Sequence, residues 1–82
     1  MFADDGMVVI GVDTHRDRHA YAVVIGATGV VVDQFDGSAD RCGYLRAISR
    51  VHQRAPGRRV WAIEGTGSYG AGLVGVLHDT ND

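Results

Sequence analysis

Met7-Val8-Val9-Ile10-Gly11-Val12-Asp13 is the stretch on which the reading of this chain turns. A short, nearly continuous apolar run rich in β-branched residues reads as a strand, and its lack of alternation predicts burial on both faces. The run ends on a carboxylate. An acid at the tip of a buried strand is costly to desolvate unless it is paired or holds a metal. The plainer reading of Asp13 is an aspartate capping a turn.

Working outward, Ala20-Tyr21-Ala22-Val23-Val24-Ile25 is a second strand and Val30-Val31-Val32-Asp33-Gln34-Phe35 a third. Between them, Gly26-Ala27-Thr28-Gly29 is turn chemistry, which makes the pair a hairpin. The link from the first strand to the second is also short, so the opening is an antiparallel meander. Asp36-Gly37-Ser38 interrupts the pattern, with Ser38 as the expected helix N-cap. From Asp40 to Arg54 the apolar residues Cys42, Leu45, Ile48 and Val51 repeat every three, with Tyr44 four before Ile48. That pattern predicts an amphipathic helix with Leu45 in the core, ended by Ala55-Pro56-Gly57. Arg59-Val60-Trp61-Ala62-Ile63-Glu64 is a fourth strand, with Trp61 also assigned to the core. Because a helix precedes it, it is expected to lie parallel to an earlier strand. A glycine-rich turn follows, and residues 70–78 form a second helix weakened by its glycines. The expected class is α/β, in the order β-β-β-α-β-α. Residues 1–6 and 79–82 are expected to be disordered.

Composition fits a globular protein of one domain. The chain has 82 residues, 45% hydrophobic and 22% charged, with a formal net charge of -2. A chain this short buries only roughly 60–65% of its unfolded surface, so its stability margin is thin. The single Cys42 makes no internal disulfide, which points to a reducing cytoplasm. The acidic start lacks the basic region of a signal peptide, and no apolar run approaches the roughly 20 residues that span a bilayer. Charge is unevenly spread: Arg41 to Arg59 holds six arginines and no acid, and the chain has no lysine. Arginine without lysine reflects GC-rich coding as readily as a binding role.

Glu64 ends the fourth strand as Asp13 ends the first. With those strands parallel and adjacent, both carboxylates emerge at one sheet edge, where a divalent cation relieves their repulsion. Hard oxygen donors suit Mg²⁺ or Mn²⁺, and such ions activate the attacking oxygen and stabilise the leaving oxygen of a phosphodiester. The alternative is two unrelated solvated acids. His15, Asp17 and His19 follow Asp13, but no cysteine or third histidine stands at zinc-ligand spacing. They read as a polar turn, with Asp17 a candidate group near the metal. Gly65-Thr66-Gly67-Ser68-Tyr69-Gly70 is formally a dinucleotide fingerprint. The adjacent Glu64, the opening meander and the lack of a following acid argue against that use. The glycines instead turn the chain away from Glu64, leaving Thr66, Ser68 and Tyr69 to approach a nucleic-acid phosphate. Arg46, Arg50 and Arg54 repeat every four residues as one basic ridge. It is either a solvated helix face or a contact for a nucleic-acid backbone.

Val9-Ile10-Gly11-Val12-Asp13-Thr14-His15-Arg16-Asp17, followed by Ala20-Tyr21-Ala22-Val23-Val24, resembles the opening of the insertion-sequence-110 type transposases. These are DEDD enzymes, similar to the RuvC Holliday-junction resolvase. Trp61-Ala62-Ile63-Glu64-Gly65-Thr66-Gly67-Ser68-Tyr69-Gly70 resembles the second block of that family, so the likeness covers about Met7 to Leu77. It implies a ribonuclease H-like fold, Mg²⁺-dependent DNA cleavage or strand transfer, and Asp13 and Glu64 as the first D and the E of an acidic tetrad. It also implies a structured RNA made by the element as partner, and a homo-oligomer for the full-length protein. The family's two later aspartates and its C-terminal domain with a nucleophilic serine have no match; Asp79 and Asp82 follow the helix, and Ser68 belongs to the turn. The chain is therefore expected to be an N-terminal fragment, inactive alone. Two other functions compete. An actin-like ATPase or sugar kinase would carry a glycine-rich phosphate turn between the first two strands, where this chain has Thr14-His15-Arg16-Asp17-Arg18-His19. A non-catalytic nucleic-acid-binding module would show salt-dependent affinity indifferent to Asp13 and Glu64. A remnant without activity is the remaining possibility, aggregation-prone through an open sheet edge.

Overall fold

In a computed structural model, residues 7–55, 58–64 and 69–80 are described. The apolar opening run forms β1 (Val8–Thr14), followed by β2 (Arg18–Ile25), β3 (Val31–Ser38), α1 (Arg41–Arg54), β4 (Arg59–Glu64) and α2 (Ala71–Asp79). The expected order of elements is observed. The four strands make one mixed sheet in the order β3-β2-β1-β4. β1 pairs antiparallel with β2, β2 antiparallel with β3, and β4 runs parallel to β1.

The hairpin between β2 and β3 closes where Gly29, at φ 74°, donates its N–H to the Ile25 carbonyl at 2.8 Å. Glycine takes that left-handed conformation without a Cβ clash. β2 begins at Arg18 and β3 continues to Ser38, because the register carries Arg18 opposite Ser38. Ser38 is therefore the last strand residue and not the N-cap. Asp40 caps α1, its carboxylate accepting from the Gly43 N–H at 2.7 Å, while the Ser38 hydroxyl donates to the same carboxylate at 3.1 Å. These two bonds, the backbone one first, hold the Asp40 carboxyl below its ordinary range. The strand-to-helix corner is tight enough to require glycine at 43, since a Cβ there would overlap the Ser38 carbonyl.

α1 buries Gly43, Tyr44, Ala47, Ile48 and Val51. The inward stripe is thus spaced one, three, one and three residues apart, which keeps to the helical period. Cys42 is exposed and Leu45 is 39% exposed. The every-three reading drifts around the helix, and Leu45, expected in the core, is the residue it misplaces. α2 adds Leu73, Val76 and Leu77, and Trp61 and Ile63 of β4 pack on the cluster's margin.

The two helices share one side of the sheet. Their buried residues form a single cluster with Val8, Ile10 and Val12 of β1 and Tyr21 and Val23 of β2. The alternate residues of β1 point the other way, where Val9 and Gly11 are half-buried and Asp13 is exposed. The expectation that β1 is buried on both faces is therefore corrected: one face carries helices and the other, among the described residues, does not. His19 departs from its reading as part of a polar turn. It lies on the helix side of β2, fully buried and stacked on Tyr44 with ring centroids 5.5 Å apart. Beside it, Tyr21 stacks on Phe35 at 4.8 Å. Burial, with Tyr44 adding to it, pushes the Tyr21 hydroxyl up to about 12.

Candidate functional site

The site grows from the register of β1 and β4. In that parallel pair Val8 stands opposite Arg59 and every rung follows in step, so that the last one joins Asp13 to Glu64. Paired residues on neighbouring strands lie about 4.8 Å apart and project to the same face. The face is the open one, and both carboxylates are exposed on it. The sequence placed these two acids together through an inferred crossover, and the structure brings them to one rung.

The rung extends further. Asp13 pairs with Ala20 of β2, and Ala20 pairs with Asp36 of β3. Asp36, Asp13 and Glu64 therefore lie across the sheet in one row, interrupted only by the small Ala20. Beneath the row lies a depression of about 420 Å³, lined by these three acids together with Gly11, Ala22 and Gln34. Its floor is low because the open face carries glycine and alanine where the helix face carries isoleucine, valine and tyrosine. Sequence reading missed Asp36. Its signal was the alternation of Gln34 and Asp36, which acquires meaning only once the hairpin register is known.

Three side chains tie into the row. The His15 Nε2 lies 3.2 Å from Asp13 Oδ2, an exposed pairing that is ionic when the imidazole is protonated. On the opposite face, the Thr14 hydroxyl donates to the Glu64 carbonyl at 2.8 Å. Asp36 stands 3.8 Å from the Arg18 guanidinium. Among the described residues, no three histidine, cysteine, aspartate or glutamate side chains converge closely enough to enclose a metal ion. The Asp13–Glu64 pair supplies two hard oxygen donors and leaves further coordination to water or other groups.

The remaining site candidates fall elsewhere. Tyr69 sits half-exposed in the turn before α2, while Thr66 and Ser68 lie outside the described residues. Arg46, Arg50 and Arg54 ride on α1, across the sheet from the carboxylates. Arg50 donates to both Asp33 oxygens, at 2.7 and 2.9 Å, and its guanidinium lies 4.5 Å from the centre of the Phe35 ring. Arg54 reaches the same carboxylate at 3.8 Å. The Arg50 bonds hold the Asp33 carboxyl below its ordinary range and raise the guanidinium in turn. Two of the three ridge arginines are thus engaged in fastening α1 to β3. All three line a groove of about 500 Å³ between those elements. No described helix is long and apolar enough to cross a membrane.

No protein-family model matches the chain, and no curated protein matches it.

Proposed function

We propose that this chain carries the first part of a ribonuclease H-like DEDD transposase domain, in which Asp13 and Glu64 are two of the acidic ligands for Mg²⁺ or Mn²⁺ and DNA is the substrate. The observation that carries the reading is the rung joining Asp13 to Glu64. Two strands far apart in sequence carry carboxylates at the same level and on the same face. Chance solvated acids have no reason to share a rung. The antiparallel opening, followed through a helix by a parallel fourth strand, agrees with the same reading.

The donor set fits the ion: both ligands are carboxylates on rigid strand ends, and hard divalent cations prefer oxygen. When bound, such an ion supplies charge stabilisation to the oxygens of a phosphodiester under attack. The chain's own part is positional. Asp13 and Glu64 hold their carboxylates at fixed spacing, and the low floor of Gly11, Ala20 and Ala22 gives a nucleic-acid backbone room to approach them. In this reading the remaining acidic ligands come from other sequence or from a partner chain. In this reading DNA approaches the open side, with the α1 arginines across the sheet from it.

The experiment is a Mn²⁺ titration of the chain, following binding and thermal midpoint, with Asp13→Asn and Glu64→Gln alongside. Mn²⁺ is expected to raise the midpoint of the parent and of neither variant. A parent that ignores the metal, or variants that respond as the parent does, would sink the proposal.

A further inference from the structure

We infer that Thr14 is a positioning residue for the metal-binding carboxylate of Glu64, an inference that rests on the function proposed above. Among the described residues, the last rung of the backbone ladder between β1 and β4 is the one that bears the two acids, with Asp13 opposite Glu64. A carboxylate at that rung stays level with its partner only as far as its own strand is held in register. One residue beyond, Thr14 turns its side chain to the helix face, where it is 8% exposed. Its hydroxyl donates to the Glu64 carbonyl at 2.8 Å. The side chain thereby adds one hydrogen bond between the strands at the point where the described ladder stops.

The methyl group of Thr14 is placed as deliberately. A Cβ on Gly70 would stand 3.4 Å from Thr14 Cγ2 and 3.1 Å from Ile63 Cγ2, so the turn entering α2 sits directly on these two side chains. Thr14 holds Glu64 through its hydroxyl and supports the start of α2 through its methyl. On the other face of the sheet, Asp13 and Glu64 are left level. The division resembles the way outer groups orient metal ligands without touching the metal, where loss of such a partner weakens metal affinity by about tenfold or more.

Three variants test this. Thr14→Val keeps the shape and the methyl packing and removes the donor; Thr14→Ser keeps the donor and removes the methyl; Thr14→Ala removes both. Mn²⁺ affinity is measured by calorimetry, with the metal-free thermal midpoint of each protein recorded beside it. Thr14→Val is expected to bind Mn²⁺ about tenfold more weakly than the parent, and Thr14→Ser to bind within about twofold of it, because the first loses the hydroxyl contact and the second keeps it. If Thr14→Val does not fold, Thr14→Ala against Thr14→Ser gives the same comparison. Equal affinity in parent and Thr14→Val overturns the inference while leaving the metal site standing, as does an equal loss in the valine and serine variants. A parent without Mn²⁺ affinity overturns both.

Discussion

The two faces of the sheet are built from the same four strands and share nothing else. On the helix side, Ile10, Tyr21 and Val23 are almost wholly buried under α1 and α2. On the open side, the alternating residues are Gly11, Ala20 and Ala22, with Asp13, Asp36 and Glu64 in a row across the strand ends. Because strand side chains alternate with a period of two, neighbours in sequence belong to different regimes. Val12 is core, Asp13 is site, Thr14 is core again. Stability and candidate chemistry are therefore separable in this protein, one face for each.

The sharpest way to break that division is to empty a position on the packed face. Ile10→Ala removes a fully buried side chain and is expected to cost about 2–5 kcal/mol, a large part of the stability of so small a domain. Thermal or urea unfolding checks it, and a fall of a few tenths would mean that the helix face is not the core.

A second effect belongs to the packed face alone and is read by pH. The Tyr21 hydroxyl is raised from 10.0 to about 12 by burial. A group whose folded value is raised keeps its stabilising contribution below the unfolded value and loses it as pH climbs through the folded one. Stability is therefore expected to fall by about 2–3 kcal/mol between pH 10 and pH 12. Tyr21→Phe should reduce that slope, the remainder belonging to Tyr44, whose hydroxyl burial also raises. It should not lower stability at pH 7, since the Tyr21 hydroxyl is buried without a hydrogen-bond partner among the described residues. An unchanged alkaline slope in Tyr21→Phe would assign the transition to other groups.

Gly43→Ala probes the corner that turns the chain from the sheet onto its helix side. A methyl there meets the Ser38 backbone, and a loss of about 1–3 kcal/mol is expected from forced displacement. Unfolding with the stability of the parent would mean that the corner relaxes freely.

The smallest stability effect is expected on the open face. Asp13→Asn should leave the metal-free unfolding free energy within about half a kcal/mol of the parent, as surface substitutions do, while abolishing the response to Mn²⁺. A strongly destabilised Asp13→Asn would show that the open face is structural after all, and the comparison would collapse.

Much of this was legible in the chain. The β-branched run ending at Asp13, the hairpin at Gly26–Gly29 and the helix between two strands follow from local pattern and turn chemistry. So does the expectation that Asp13 and Glu64 end parallel strands, since a helical crossover between strands of one sheet implies it. Three features were not legible for a physical reason. The identity of the N-cap depended on how far β3 runs, which is settled by pairing with Arg18. The burial of His19 depended on Tyr44, a residue of another element, arriving to stack on it. The engagement of Arg50 depended on Asp33 emerging on the side where α1 packs.

The sequence alone determined the elements, their order and the two acids at the strand ends, because periodicity, turn residues and strand-terminal charge are local properties. The tertiary structure alone decided that both helices cover one face, that Asp36 joins the row of Asp13 and Glu64, and that Thr14 clips Glu64 from behind. Each of these depends on strand register, and register is a relation between distant segments: a slip of one residue would send every one of these side chains to the opposite face.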